Sequence, residues 1–423
     1  MYRNSRPNLC SALVGAAVAA ACTSNPPAPL PESRFTNVAD TVTAIREVAL
    51  TSSEQTLFTR VTRVLLGPDS NVYVLDADRT WVTVFSPAGA FVRRIGNKGS
   101  GPGEFEGPIQ RIGFIGDTIW IEDWIKQRTN WFAQNGEYLK QTVDTIEIDR
   151  DRFPGAQLPL TYMRGGALYE TNEPALTLSS TALGPIVMAP VSSRSVNHED
   201  TTRFERQRDT SGRASRRLDT LALRSAWRGV VPIPNAGTLR VTGIPVPTVL
   251  AYDAFGNGVT LVTQSSTDVE RQVATVSVQQ WDSHGRRVLQ RILGEGATTP
   301  VPTSVRDSIY AKATASLNRL ITQLPEIKRT VTDPAQLIKS VLHIREFYPV
   351  VHDARTMRDG SVWLRIDDVS GLQRWLTLDA QLKPRRMVQL PVAARLEDGA
   401  RGLLWVVERD SFDVMTVVAY KVP

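Results

Sequence analysis

Two stretches of the chain superpose in a single register: Asp69-Ser70-Asn71-Val72-Tyr73-Val74-Leu75-Asp76 and Gly116-Asp117-Thr118-Ile119-Trp120-Ile121-Glu122-Asp123. Each continues through an aromatic strand into a Gly turn, Phe85-Ser86-Pro87-Ala88-Gly89 and Phe132-Ala133-Gln134-Asn135-Gly136. The step from Asp76 to Asp123 equals the step from Gly89 to Gly136, so one register serves the whole unit. Such a repeat constrains the fold more than any single motif. The unit reads as four short antiparallel strands joined by Asp/Gly/Asn turns that tolerate positive φ. A sheet that small cannot cover both its apolar faces, so its neighbours must, either around a ring or along a linear stack.

Looser copies of the turn and strand recur at Gly165-Gly166-Ala167-Leu168-Tyr169, Gly256-Asn257-Gly258-Val259-Thr260-Leu261, Asp359-Gly360-Ser361-Val362-Trp363-Leu364 and Arg401-Gly402-Leu403-Leu404-Trp405-Val406. With the first two they make six, which predicts an all-β, six-bladed β-propeller. Asp413 to Val422 alternates as an outer strand, and Thr41 to Leu50 can seal the ring by joining it in one blade, removing an exposed edge.

Gly99-Ser100-Gly101-Pro102-Gly103-Glu104-Phe105, followed by Pro108, resembles the inter-blade connector of NHL-type repeats. Together with the Asp-Gly turns and the Val/Trp/Leu strands, it makes the chain similar to the bacterial six-bladed β-propeller lipoproteins. The resemblance is good across Val61 to Leu139 and Asp359 to Tyr420, and weak from Arg150 to Gly243.

The N-terminus reads separately. Arg3 and Arg6 precede an uncharged run from Leu9 to Ala21, too short to span a bilayer and consistent with an export signal. It ends in Ala19-Ala20-Ala21-Cys22, which resembles a lipobox and implies acylation of Cys22. An ordinary signal peptide cut at the same place is the alternative. Only Cys10 and Cys22 occur, so cleavage leaves no internal disulfide and a single thiol that acylation would mask. The expected organisation is a signal peptide over 1–21, a Pro-rich tether over 22–35 and a propeller over 36–423. By the same resemblance Thr23, standing where Asp would favour retention, directs the protein to the outer membrane of a cell envelope that has one. The net charge of +6 and the Arg-rich segment from Arg203 to Arg228 carry interleaved acids, and read as a solvated face without a nucleic-acid role.

Two insertions interrupt the repeat. The first is expected to hold outer strands over Pro185 to Val191 and Arg216 to Leu223. The second, within 300–347, is a helical hairpin: Ser304 caps a helix with Asp307 at its third position, Pro325 stops it, and Asp333-Pro334 starts another with Leu337, Ile338, Val341 and Leu342 inward. It is either a lid over the channel or an edge decoration.

Catalytic signatures are absent from the sequence, which has no Cys-x-x-Cys, His-Glu-x-x-His, Gly-x-Ser-x-Gly or phosphate loop. His198, His284, His343 and His352 are scattered, and His284 falls in an outer turn, so no metal or cofactor is assigned. Glu122-Asp123, Asp367-Asp368 and Asp76 with Asp78 read as turn caps at the end away from the channel entrance. The innermost strands should supply any site. Arg63, Arg111, His352, Asp353 and Arg395 are expected near the axis as a mainly cationic mouth suited to an anionic small molecule. The expected role is a monomeric ligand-binding or envelope-protein interaction module held to a membrane by its lipid. The alternative is a metal-dependent hydrolase or lyase of the six-bladed type.

Overall fold

The computed structural model describes residues 35, 38, 40–50, 58–126, 128–143, 161–163, 166–170, 183–189, 207–208, 214–215, 219–225, 230–233, 237–241, 248–265, 267–284, 286–342 and 344–423. Among them are six sheets of four or five strands, antiparallel except for one edge pairing, arranged as a β-propeller. Blade 1 comprises Val61–Leu66, Val72–Asp76, Val82–Phe85 and Phe91–Ile95 from the axis outward. The inner strands of blades 2 to 6 are Ile112–Ile115, Thr161–Met163, Thr248–Tyr252, Asp353–Thr356 and Ala394–Ala400. All six copies of the sequence unit fall on the second strand of a blade.

Val72–Asp76 and Val82–Phe85 are buried at every position, whereas the outer strand Phe91–Ile95 is mostly exposed. Neighbouring blades cover both faces of the inner sheet, and so these strands read as continuous apolar runs. The core is accordingly divided among the blade interfaces. Leu75, Val82, Phe114 and Ile119 pack between blades 1 and 2, Val74, Phe85, Trp405 and Val417 between 6 and 1, Trp363, Trp375, Leu396 and Val406 between 5 and 6, and Val276, Val278, Leu364 and Leu376 between 4 and 5. Burying each such side chain contributes about 1.5–3 kcal/mol.

The ring closes differently from the sequence expectation. Met415–Lys421 is the third strand of blade 6, and its outermost strand is Ile45–Ala49, paired antiparallel to it. The segment just before, Thr41–Thr43, runs parallel to Pro384–Pro391 and becomes a fifth strand of blade 5. The N-terminal segment therefore bridges two blades. Its break at Ala44, whose N–H is donated to the Gln389 carbonyl, lets it change partners.

Strand direction fixes two ends. At the mouth end the inner strands begin and the second strand of each blade turns into the third; at the far end lie the turns joining first to second and third to fourth strands. Two connections at the mouth end carry insertions. One carries a hairpin, Val230–Ile233 and Gly237–Arg240, which the sequence reading misses. The other carries α1, Thr303–Gln323, and α2, Pro334–Val341. Val231, Ile233, Ile309, Leu317, Ile338 and Leu342 form a core of their own. The helices come as expected, with one correction: α1 starts at Thr303 after Pro302 without a side-chain cap, so Ser304 lies inside the helix. The Asp333 carboxylate does cap α2, accepting from the Gln336 N–H at 2.9 Å. In blade 3 the outer strands are Leu183–Ala189 and Asp219–Ser225, shifted from the expected 185–191 and 216–223. Residues 1–34, with Cys22, and His198 and His343 lie outside the described residues.

Candidate functional site

An inner strand is a sheet edge, and its axis-facing N–H groups need acceptors. Blade 6 supplies them to blade 1. The register of Ala394–Ala400 shifts between Leu396 and Asp398, an irregularity that adds Glu397 to the inner strand. Glu397 Oε2 accepts from the Val64 N–H at 3.3 Å and Asp398 Oδ2 from the Leu66 N–H at 2.9 Å. Both carboxylates are buried. Burial pushes the Asp398 pKa up to about 6 against the pull of the Leu66 and Gly399 N–H groups and of Arg63.

Arg63, on the same edge of blade 1, reaches toward blade 4. Its guanidinium carbon stands 5.5 Å from the ring centroid of Tyr252, the last residue of that blade's inner strand. Burial alone would lower its pKa, but the Tyr252 hydroxyl and the Glu397 and Asp398 carboxylates more than offset this and hold it above its ordinary value. Arg63 is enclosed by protein and still keeps accessible surface, the combination expected of a side chain lining an internal space. Among the described residues no carboxylate oxygen lies within the 4.0 Å of an ion pair with it.

The far end of the axis is filled. Asp253-Ala254-Phe255-Gly256-Asn257 leaves blade 4 and crosses the ring: the Phe114 N–H of blade 2 donates to the Ala254 carbonyl at 2.6 Å, and the Phe114 and Phe255 rings stack at 5.3 Å. Tyr73 of blade 1 meets Phe114 edge-on at 5.1 Å. From blade 5, Arg358 lies 5.2 Å from the Phe255 ring centroid and donates to the Gly67 and Pro68 carbonyls of blade 1. Gly256, at φ +62°, could not carry a side chain: a Cβ would stand 2.6 Å from the Tyr162 carbonyl of blade 3. Asp253 closes the turn by accepting from the Phe255 and Asn257 N–H groups, each at 3.0 Å. Burial raises its pKa against those two donors. Five blades meet at this plug.

At the mouth, the expected cationic residues are charge-paired. Arg111 Nη1 is 3.1 Å from Glu122 Oε1 within blade 2. Arg395 Nε is 2.6 Å from Glu397 Oε1, and its Nη2 donates to the Val61 carbonyl at 2.7 Å, joining blade 6 to blade 1. Asp353 pairs with Arg355 at 2.7 Å, and Arg355 Nε donates to the Leu396 carbonyl at 3.1 Å, joining blade 5 to blade 6. His352 keeps an exposed surface: its backbone N–H donates to the Arg365 carbonyl at 2.8 Å and its ring centroid lies 6.4 Å from that of Tyr348, while desolvation by the surrounding protein first, then the Arg365 charge, lowers its pKa. Those neighbours are not the axial group. Of the three arginines expected at the axis, Arg63 alone has no carboxylate at ion-pair distance among the described residues.

Two further corrections concern carboxylates. Asp76, Glu122, Asp123, Asp367 and Asp368 stand at the mouth end, because a second strand finishes where an inner strand begins. They are more than turn caps: Asp123 pairs with Arg128 at 3.0 Å, Asp368 with Arg365 at 2.6 Å, and Asp367 with Arg374. Asp76 accepts from the Thr59 and Arg60 N–H groups at 2.7 and 3.1 Å and so fixes the entry to blade 1. The Gly-rich segment after blade 1 is tied down by backbone pairing and by one arginine. Asn97–Lys98 and Glu104–Phe105 pair parallel, and Arg128 donates to the carbonyls of Ser100, Gly101 and Glu104. Among the described residues no three His, Cys, Asp or Glu side chains converge as metal ligands.

A family model described as DUF5128, a 6-bladed beta-propeller, matches residues 30–108. No curated protein matches the chain. Among solved structures, the chain is similar to a provisionally designated exported protein of Bacteroides fragilis, at 10% identity and TM-score 0.43, with 91% of this chain and 97% of that one covered. It is similar to a DUF4221 family member from Bacteroides vulgatus at 9% identity and TM-score 0.39, covering 92% and 99%. It is also similar to a gluconolactonase from Xanthomonas campestris at 10% identity and TM-score 0.33, covering 93% and 99%.

Proposed function

We propose that the chain is an exported, lipid-anchored propeller that binds a small molecule carrying an anionic group in the axial space between the mouth and the plug. The observation that carries this reading is Arg63. A guanidinium enclosed by protein normally has an ion-pair or hydrogen-bond partner for its donors, since burying a charge without one is costly. Here the Tyr252 hydroxyl can take one of the donors, and no carboxylate lies at ion-pair distance among the described residues to take the others. A planar fork of donors suits a carboxylate or similar group.

The metal-dependent alternative finds a poor donor set. Asp253, Glu397 and Asp398 each accept from backbone N–H groups, and Glu397 also pairs with Arg395, so the lone pairs a cation would take are engaged. Anchoring through Cys22 rests on the sequence around it. The membrane is then the partner that holds the propeller, with the tether as spacer.

Thermal shift of the purified chain against a panel of small carboxylates, amino acids and phosphates tests the reading. Wild type is expected to be stabilised by members of the panel, and Arg63→Met, still folded by circular dichroism, to lose those shifts. Equal shifts in the variant would contradict it.

A further inference from the structure

The turns at the two ends of the ring differ in what they show to solvent. At the far end, the described turns are rich in Asp, Asn, Ser, Pro and Gly, and their large apolar side chains turn inward: Phe255 packs in the plug and Leu382 is fully buried. At the mouth end, the turns joining second to third strands hold large apolar side chains outward. Phe412 of blade 6 is 85% exposed, Trp124 and Ile125 of blade 2 are 43% and 42% exposed, and Val269 and Val369 stand exposed at the turns of blades 4 and 5. One exposed apolar residue needs no explanation, but recurrence at the equivalent turn of successive blades, with none at the far-end turns among the described residues, marks a face.

The aromatic tips fall on consecutive blades, 6, 1 and 2, away from the connections that carry the hairpin and the helices. Blade 1 contributes Trp81, partly exposed, with the Arg79 and Arg94 guanidinium carbons 5.2 and 4.8 Å from its ring centroid. In blade 2 the half-exposed Lys126 follows Ile125 and pairs with Glu106 at 2.8 Å. Aromatic rings beside arginine and lysine suit a membrane–water interface, where the ring sits at headgroup depth and the cation stays among the phosphates. Separate tips also suit a soft surface better than a rigid protein partner, which packs against one continuous patch.

The place where the chain enters the propeller points the same way. Phe35, the first described residue, packs with Val350, and a Cβ on Gly294 or Gly296 of blade 4 would stand 3.6 or 2.8 Å from its side chain. Val350 leads into the inner strand of blade 5 at its mouth-end start. From Cys22 to Phe35 the chain can span at most roughly 45 Å, so an acyl group on Cys22 holds the mouth end nearer the bilayer than the far end.

We propose that the mouth end faces the membrane, with Phe412, Trp81, Trp124 and Ile125 seated in the lipid headgroup layer. This rests on the lipid anchoring in the reading above and goes beyond it in fixing which end of the propeller meets the bilayer.

The full chain, processed in a bacterial host, is reconstituted into phosphatidylethanolamine–phosphatidylglycerol vesicles with and without acyl chains brominated near the headgroup. Flotation reports anchoring, and tryptophan emission reports contact. Brominated lipid should quench the wild type, and Trp124→Tyr should lose most of that quenching. On the Trp124→Tyr background, Phe412→Trp should restore it, whereas Ala88→Trp, in an exposed far-end turn, should add emission that bromine leaves unquenched. Equal quenching of the Ala88→Trp and Phe412→Trp emission would overturn the orientation. Flotation with neither quenched would overturn the membrane contact, assign the tips to a protein partner and leave the anchor standing. A chain that does not float would overturn both.

Discussion

The two ends of the axis are built from different materials. The far end is covalently local and apolar: one five-residue turn of blade 4 carries Phe255 onto Phe114, with Tyr73 and Arg358 packed around it. The mouth end is assembled from long side chains, each crossing a single blade boundary, such as Arg395 from 6 to 1 and Arg355 from 5 to 6. Apolar contact tolerates no water and gives a floor that stays shut, whereas charge pairs at a partly exposed rim exchange with solvent at little cost. The difference teaches that the ring is held shut at one end and kept exchangeable at the other, with Arg63 and Tyr252 in between.

Removing the floor should have the largest effect. Phe114 is fully buried, and Phe114→Ala is expected to cost about 3–5 kcal/mol in chemical denaturation, more than any single change at the mouth. A smaller loss than Arg395→Ala would reverse the comparison.

Asp398 should come next, and its effect is one of slope. Its carboxyl titrates near 3.8 in its ordinary state and about 6 in the fold. The folded protein therefore holds the extra proton between those values, and stability falls as pH rises through that window, by roughly 3 kcal/mol for a shift of this size. Asp398→Asn should remove that fall, measured as denaturation midpoints from pH 4 to 7, and an unchanged slope would place the proton elsewhere.

Much of this was legible in the sequence and some was not. The repeat showed the blades because both of their faces are covered, so a run such as Val72-Tyr73-Val74-Leu75 cannot be mistaken for a half-exposed strand. Arg63 could be placed near the axis from the register of its blade. The acids facing it could not, because the irregularity at Glu397 adds a residue that breaks alternation and exchanges which side chains face the axis. The plug carried a faint signal in Asp253-Ala254-Phe255-Gly256-Asn257, a turn with an aromatic at its tip, but nothing local shows that it crosses to blade 2. His352 was drawn to the axis by its neighbour Asp353, while its own ring stands exposed near Tyr348.

At the mouth, Arg395→Ala removes a pair whose arginine is about half exposed and one bond to the Val61 carbonyl, so about 1 kcal/mol is expected from the difference in denaturation midpoint. A loss approaching that of Phe114→Ala would show that the seam between blades 6 and 1 depends on it. His352 should give the smallest effect and the opposite pH sign. Its folded pKa lies below the ordinary 6.5, so the unfolded chain takes up the proton first and stability declines as pH falls below that value. His352→Gln should blunt that acid-side decline, and an undiminished decline would assign it to other groups.

The most direct test of the account is a crystal structure of the full chain at a resolution that shows ordered water and small ligands on the axis. It should place the Arg63 guanidinium against Tyr252, more than 4.0 Å from every carboxylate oxygen, with water or a small polar molecule on its remaining donors. A direct Arg63–Asp398 ion pair across a dry axis would contradict it.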